Sequence, residues 1–300
     1  MRLMLTGANG QVGWELRRSL MPIGDVIAMD HAGCDLSQPR DLPRIVRDLR
    51  PDIIVNAAAY TAVDQAEEEE QLATIVNGTA VGVLADEARK SDALLIHYST
   101  DYVFDGTKQS PYTEDDPPRP INAYGRSKLA GERAIGESAV DYLILRTSWV
   151  YAARGHNFLR TILRLARERD ELRIVADQVG APTWAREIAD ATALIVRQAC
   201  GERARGDFTS GVLNVTAAGA TSWHGFAEAI LEQARSRPGV PPTRTKIHPI
   251  SSAEYPRPAA RPKNSRLAGE RLRERFDIAL VDWKQTLALC MQDKTLVEAS

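Results

Sequence analysis

Tyr124 and Lys128, four positions apart in the segment NAYGRSK, form the pair of residues with the clearest chemical potential in this chain. Residues at this spacing share one face of a helix, so both side chains can point at the same ligand. A phenol with an ordinary pKa near ~10 transfers protons poorly at neutral pH, and a neighbouring ammonium favours its ionised form. The pair therefore predicts a proton donor, Tyr124, made effective by Lys128. Such a spacing also arises by chance, so the prediction depends on the rest of the chain.

A hydroxyl group in the segment HYSTDYVF supplies a third candidate. It lies at the carboxyl end of a predicted strand, where open α/β sheets bind their ligands. Ser99 and Thr100 point to opposite faces of that strand, so we expect only one of them to serve. We favour Thr100, which gives a predicted catalytic set of Thr100, Tyr124 and Lys128.

Three glycines in LMLTGANGQVGWEL lie between a predicted strand and a predicted helix. Gly7 permits the sharp turn, Gly10 allows the backbone to approach a pyrophosphate, and Gly13 allows close packing of the helix on the sheet. The free N–H groups and the dipole at the start of that helix attract phosphate. This context predicts a dinucleotide-binding turn rather than a plain glycine loop.

Acidic and small residues that follow the next two predicted strands extend this site. Asp30 ends the strand DVIAMD, where a carboxylate can accept hydrogen bonds from the adenosine ribose. The same charge repels a 2′-phosphate and so favours NAD modestly, because His31 and nearby arginines could offset it. Asp35 and Leu36 are expected to border the adenine. The small residues of NAAAY, 56–60, would let the nicotinamide nucleotide pass close to the sheet.

The order of elements predicts how these residues are positioned. In the first 150 residues, apolar strand-like runs alternate with helical patterns at 12–20, 41–49, 71–90 and 124–137. This alternation predicts an α/β fold, a doubly wound parallel (Rossmann) sheet with a smaller C-terminal substrate-binding domain. Residues 1–150 would form the NAD(P)-binding domain, with later sheet elements from about 151–222, and about 151–300 would mainly bind substrate. Helices are expected at 157–169, 185–198 and 223–235, followed by a proline-rich segment, 238–262.

Composition excludes several classes of protein. The 300 residues are 44% hydrophobic with a formal net charge of −2, so neither nucleic acid nor a membrane is an expected partner. No signal peptide or membrane-spanning run is apparent, and three scattered cysteines fit neither a disulfide framework nor a zinc site. We expect a cytoplasmic protein. The five histidines are isolated and form no H-E-x-x-H or similar motif, so we do not expect a metal enzyme.

Seven ordered segments resemble the extended short-chain dehydrogenase/reductase family, and within it the nucleotide-sugar reductases: TGANGQVGWEL, PDIIVNAAAYTAVDQAE, HYSTDYVFDG, NAYGRSKLAGE, LRTSWVYA, DQVGAPT and RPKNSRL. The resemblance implies that a Thr100, Tyr124 and Lys128 triad performs catalysis. It also implies that the dinucleotide contacts Gly10, Gln11, Val12, Asp30, Asp35, Leu36, Ala57, Ala58, Ala59 and Tyr60, with Tyr124 and Lys128 reaching the nicotinamide ribose. The nucleotide sugar would contact Thr100, Asp101 and Trp149, with Arg261 and Arg266 at its phosphates.

The implied reaction is reduction of dTDP-4-dehydro-L-rhamnose to dTDP-L-rhamnose by NADPH or NADH. Some family members form a magnesium-bridged dimer through carboxylates near the first helix and the helix after GAPT. Glu15 is present here, but Arg186 occupies the later helix, and an arginine is no magnesium ligand. Magnesium is therefore possible but not favoured, no metal is predicted to be required, and the chain is expected to be a monomer or homodimer.

Two alternatives stay open. The first is another nucleotide-sugar enzyme of the same family, an epimerase or a 4,6-dehydratase. A dehydratase often has a neighbouring Asp-Glu pair, whereas Tyr102 follows Asp101 here. The second is a cofactor-binding regulatory subunit without catalysis, against which the intact triad argues.

Overall fold

A six-stranded parallel sheet forms the centre of the computed structural model, which describes residues 1–235 and 245–298. The strands of the described residues are β1 Arg2–Thr6, β2 Asp25–Met29, β3 Ile53–Asn56, β4 Leu94–Thr100, β5 Tyr142–Thr147, β6 Val150–Tyr151, β7 Glu171–Val175, β8 Val179–Gly180, β9 Thr183–Trp184, β10 Gly211–Asn214, β11 Thr221–Ser222 and β12 Lys246–Ile250. The central sheet has the order β10-β5-β4-β3-β1-β2, and every neighbouring pair in it is parallel.

Helices cover both faces of this sheet. They are α1 Gln11–Ser19, α2 Leu42–Leu49, α3 Glu70–Thr74, α4 Ala80–Lys90, α5 Ala123–Glu137, α6 Phe158–Glu168, α7 Ala185–Arg205, α8 Trp223–Arg235, α9 Glu270–Phe276, α10 Trp283–Cys290 and α11 Thr295–Glu298. Strands β3 and β4 are buried along their whole length, which explains their continuous apolar runs. The predicted doubly wound α/β fold is confirmed.

The position of the site follows from the strand order. The direction of winding reverses between β1 and β3, and ligands of open α/β sheets bind outside the carboxyl ends of the strands at that point. The glycine turn follows β1 directly, and residues 57–60 follow β3. Both segments are therefore brought to one crevice.

A second hydrophobic core lies in the later part of the chain, around Tyr151, Phe226, Trp283 and Leu287. It packs α6, α8 and α10 together, apart from the clusters that cover the central sheet. Strand β10 nevertheless returns to the central sheet beside β5. The division into a cofactor domain and a substrate domain stays a prediction.

Three predicted elements differ from the structure. The expected helix at 71–90 contains a π-helical turn, Ile75–Thr79, between α3 and α4. Helix α7 continues seven residues beyond the predicted end at 198 and stops where Gly206 adopts a left-handed φ of 77°. Part of the proline-rich segment, 238–244, lies outside the described residues. Within the described ranges, no helix combines the length and apolarity needed to cross a membrane.

Candidate active site

Only glycine fits at two positions where the turn after β1 meets the start of α1. Gly7 has a φ of +70°, and a Cβ there would lie 2.6 Å from the Ala58 backbone nitrogen. A Cβ on Gly13 would lie 2.0 Å from the Gly7 carbonyl oxygen. Gly10 precedes α1 in an extended conformation, and no side chain caps the helix there. The first N–H groups of α1 are thus left for an anionic ligand.

Gly13→Ala is expected to lower the free energy of unfolding by about 2 kcal/mol or more, because the new methyl group must displace backbone atoms. The measurement is urea unfolding together with an NADH titration, which should show weakened binding. Gly136→Ala is the matched control: it also adds a methyl to a helix, but its nearest neighbouring atom is the Tyr142 hydroxyl at 4.0 Å. Equal stability of the two variants would contradict the close approach of α1 to the turn.

One cavity of about 720 Å³ extends from the second strand past the glycine turn to α5. It is lined by thirteen residues that the sequence assigned to the cofactor: Gly7, Gly10, Gln11, Val12, Asp30, Asp35, Leu36, Ala57, Ala58, Ala59, Tyr60, Tyr124 and Lys128. Gly13 lies behind the wall, where it packs against Gly7. The structure therefore brings residues from the ends of β1, β2 and β3 and from α5 to one space.

Carboxylates line the end of the cavity near β2. Asp30 Oδ1 accepts hydrogen bonds from the backbone nitrogens of Ala32 and Gly33 at 3.1 and 3.2 Å. Asp30 Oδ2 accepts a third hydrogen bond from Asn9 Nδ2 at 3.1 Å. Asp35 lies nearby, 3.2 Å from the exposed His31 ring. Among the described lining residues, the one Lys or Arg is Lys128 at the opposite end, so this end is acidic.

Tyr124 lies on the wall of the cavity. Burial raises the pKa of Tyr124 to about 12; the neighbouring Thr100 hydroxyl lowers this pKa and Asp101 raises it. Burial also raises the pKa of Asp101 to about 7, although the nearby Ser265 and Thr100 hydroxyls oppose the shift. Thr100 Oγ1 donates to Asp101 Oδ1 at 3.2 Å, whereas the buried Asp101 Oδ2 has no hydrogen-bond partner among the described residues.

Lys128 is 2% exposed, and its Nζ donates a hydrogen bond of 2.6 Å to the Tyr98 carbonyl oxygen. Its other close neighbour is His97 Nε2, at 3.3 Å. Burial lowers the pKa of Lys128 to about 8, and the Glu132 carboxylate acts in the opposite direction. The ammonium is thus directed at β4 rather than at the Tyr124 phenol, whose tuning by Lys128 stays a prediction.

Two buried hydroxyls on the cavity wall have no hydrogen-bond partner within the described residues: Ser99 Oγ and Thr147 Oγ1. Sequence reasoning set Ser99 aside in favour of Thr100 and missed Thr147. Thr147 is paired with Thr100 in the register of β4 and β5, so both end at the same sheet edge. A hydroxyl at the carboxyl end of a strand was the signal that could have found it.

Trp149, which was expected to contact the nucleotide sugar, packs against other side chains of the protein. It is buried with a φ of 47°, an uncommon conformation for a bulky residue. One face of its ring stacks on Trp223, with centroids 3.6 Å apart, and a Cβ on Gly180 would lie 2.5 Å from the ring. The ring is therefore enclosed by protein, and its contact with the nucleotide sugar stays a prediction. Trp223 was missed because only the fold brings it to Trp149.

The two arginines predicted for substrate phosphates already have partners within the protein. Arg261 Nη1 lies 2.6 Å from Asp64 Oδ1, and Arg257 Nη2 lies 3.4 Å from Asp64 Oδ2. Arg266 donates a hydrogen bond to the Gln109 carbonyl oxygen. Neither Arg261 nor Arg266 lines the dinucleotide cavity. Binding of substrate phosphates by Arg261 and Arg266 stays a prediction, and it would require both arginines to leave their present partners.

The π-helical turn connects two walls of the cavity. Asn77 Oδ1 accepts a hydrogen bond from the Tyr60 backbone nitrogen at 2.9 Å, and Asn77 Nδ2 donates to the Tyr60 carbonyl oxygen at 3.0 Å. Asn77 Nδ2 also lies 2.9 Å from Ser127 Oγ, which donates to the Tyr124 carbonyl oxygen at 2.8 Å. Single π-helical turns occur frequently at functional sites.

The sheet, the glycine turn and the cavity define a Rossmann-type oxidoreductase with a dinucleotide site. The model of the RmlD substrate binding domain family matches residues 1–296, and the chain belongs to this family. The sequence is 58% identical over 294 residues to a dTDP-4-dehydrorhamnose reductase of Burkholderia thailandensis, covering 98% of this chain and 99% of that one. It is 46% identical to the Salmonella typhimurium enzyme of the same name over 288 residues, covering 95% of each chain.

A solved structure supports the same relationship. The dTDP-4-dehydrorhamnose reductase of Bacillus anthracis, in complex with NADP, superposes with a TM-score of 0.86 at 35% identity, covering 96% of this chain and 98% of that one. The family resemblance inferred from the seven segments is therefore confirmed.

Proposed function

We propose that the protein reduces the 4-keto group of dTDP-4-dehydro-L-rhamnose with NADPH or NADH and releases dTDP-L-rhamnose. One observation carries the proposal: Tyr124 and Lys128 line the same cavity as the glycine turn, in a chain closely similar to dTDP-4-dehydrorhamnose reductases. The product would serve as an activated sugar for cell-wall or O-antigen polysaccharide.

The residues of the cavity fit a nicotinamide dinucleotide. A side chain on Gly7 or Gly13 would fill the turn, and the uncapped start of α1 presents free N–H groups to a pyrophosphate. At the other end, the unpaired Ser99 and Thr147 hydroxyls could bond a polar nicotinamide or its ribose. The thirteen lining residues named above would hold the cofactor, which supplies a hydride when bound.

Tyr124 would donate its phenolic proton to the C4 oxygen of the substrate as negative charge develops there. The Thr100 hydroxyl lies near the phenol, and we propose that it stabilises the same charge. Lys128 would hold the nicotinamide ribose and favour ionisation of the phenol. Asp101 and Trp149, with Arg261 and Arg266 at the phosphates, would bind the nucleotide sugar, and residues beyond about 151 would form most of its site.

The direct test is NADH or NADPH oxidation with dTDP-4-dehydro-L-rhamnose, with the sugar product identified by NMR. Stoichiometric formation of dTDP-L-rhamnose would support the proposal. An epimerised keto sugar without cofactor consumption would indicate an epimerase instead. Tight cofactor binding without any turnover would indicate a regulatory subunit.

Cofactor preference provides a separate prediction at Asp30. Asp30→Asn is expected to raise the ratio of kcat/KM with NADPH to kcat/KM with NADH by about tenfold, or ~1.4 kcal/mol, because it removes the charge that repels a 2′-phosphate. Steady-state kinetics with both cofactors measure the ratio. Asp48→Asn, on the exposed face of α2, is the control and should leave it unchanged. An unaltered ratio in Asp30→Asn would remove Asp30 from the adenosine site.

We also propose that the enzyme works in the cytoplasm as a monomer or homodimer without a required metal. Arg186 Nε lies 3.0 Å from Glu15 Oε2, so a guanidinium already neutralises the carboxylate that a magnesium bridge would use. The reduction rate is accordingly expected to survive EDTA within about 20%. Sedimentation velocity should give the same distribution of species with and without magnesium. A dimer that forms only with magnesium would contradict this.

A further inference from the structure

A line of buried polar side chains connects the central sheet to Lys128. Asn56 at the end of β3, His97 in β4 and Lys128 in α5 are each at most 2% exposed. Asn56 Nδ2 lies 3.0 Å from His97 Nδ1, and His97 Nε2 lies 3.3 Å from Lys128 Nζ. His97 is buried within the protein, so the reaction proposed above gives it no contact with substrate.

The hydrogen bonds of Asn56 determine which nitrogen of His97 carries the proton. The Ala58 backbone N–H donates to Asn56 Oδ1 at 3.2 Å, and the Thr6 hydroxyl donates to the same oxygen at 2.6 Å. The amide nitrogen of Asn56 must therefore face His97 and donate to Nδ1. A neutral imidazole whose Nδ1 accepts carries its proton on Nε2. Burial and the neighbouring Lys128 keep the pKa of His97 well below its usual value, so the ring stays neutral.

This tautomer points an N–H group at the lysine nitrogen. A neutral amine can accept that hydrogen bond while donating to the Tyr98 carbonyl oxygen, whereas an ammonium has no lone pair with which to accept. Besides His97, the Glu132 carboxylate on the same helix acts on Lys128. Both Glu132 oxygens are already bound by Arg146, at 2.6 and 2.9 Å. The surroundings within the described chain thus leave the ammonium poorly solvated.

We propose that His97 is a positioning residue that favours the neutral amine form of Lys128 in the free protein, so that at mildly alkaline pH Lys128 takes up a proton when a nicotinamide dinucleotide binds. The ribose hydroxyls supply acceptors that favour the ammonium, and the proton comes from the solvent. The inference rests on the proposed function only in taking the dinucleotide as ligand. The proton uptake on binding is independent of turnover.

Isothermal titration calorimetry with NADH near pH 8.5, in buffers of different ionisation enthalpy, counts protons taken up on binding. NADH is chosen because it has no 2′-phosphate to titrate. The parent protein is expected to take up about 0.7 proton per NADH. Failure of NADH to bind would contradict the proposed function; binding with no proton uptake would overturn this inference alone.

Two variants isolate the role of His97. His97→Asn keeps an acceptor for Asn56 but removes the N–H that faces Lys128, and its proton uptake should fall at least threefold. Asn56→Asp is isosteric and moves the imidazole proton to Nδ1, so its uptake should fall similarly without leaving a cavity. Ile96→Ala, in the same buried strand, is the control for loosened packing and should keep the parent value. Parent-like uptake in both His97→Asn and Asn56→Asp would refute the proposal.

Discussion

Replacing Tyr124 with phenylalanine is expected to lower kcat by about 10²–10⁴-fold, the usual range for loss of a general acid. The phenol lines the cavity with the Thr100 hydroxyl nearby, so its proton could reach a carbonyl oxygen bound in the cavity. Phenylalanine keeps the ring and its edge-to-face contact with Tyr102, whose centroid lies 5.6 Å away. NADH affinity should therefore change by less than about fivefold.

The measurement is single-turnover reduction at saturating NADH, with NADH affinity determined separately by fluorescence. Tyr142→Phe is the matched control because Tyr142 begins β5, at the end of the strand opposite Thr147. That variant should reduce substrate at the parent rate. If Tyr124→Phe does the same, Tyr124 is not the proton donor.

Lys128→Met is expected to lower kcat/KM for NADH by about 10²–10³-fold, through both weaker cofactor binding and slower turnover. Methionine keeps most of the buried volume but loses the hydrogen bond to the Tyr98 carbonyl oxygen and any bond to the cofactor ribose. Burial lowers the pKa of Lys128 in the free protein to about 8, so kcat/KM of the parent enzyme for NADH should fall as pH rises above 8.

Kinetics across the pH range would test this prediction. Lys90→Met, at the end of α4, removes an exposed lysine that pairs with Glu87 and should leave the pH profile unchanged. In Lys128→Met, the decline of rate above pH 8 should disappear because the titrating group is gone. Unchanged kinetics in Lys128→Met would remove the lysine from the site.

The fold and the cofactor cavity were predictable because their signals are local. Continuous apolar runs identify buried parallel strands, and glycine spacing after a strand identifies a turn that excludes side chains. The acidic run 67–70 shows what local signals leave out. Glu67, Glu68 and Glu70 are exposed and Glu70 begins α3, as acidic residues at a helix start should. Glu67 also accepts a hydrogen bond from the Ala123 backbone nitrogen at 2.8 Å, and Glu69 accepts one from the Tyr60 hydroxyl, contacts that only the fold creates.

Contacts between distant segments explain the other differences. The partner of Trp149 lies 74 residues later in the chain, and Asp64, the partner of Arg261, lies nearly 200 residues earlier. No periodicity in the sequence encodes such pairs. His97 was likewise recognisable only as an isolated histidine until the structure placed it between Asn56 and Lys128.

The π-helical turn at Ile75–Thr79 has a consequence for the thermodynamics of ligand recognition. Because the Asn77 amide bonds both the Tyr60 backbone and Ser127, the loop after β3 and the helix bearing Tyr124 are already held together in the folded protein before a ligand binds. Little conformational entropy is then lost in these walls when a ligand enters, so more of the contact energy appears as affinity. The π-helical turn therefore preorganises two walls of the cavity that come from different parts of the chain.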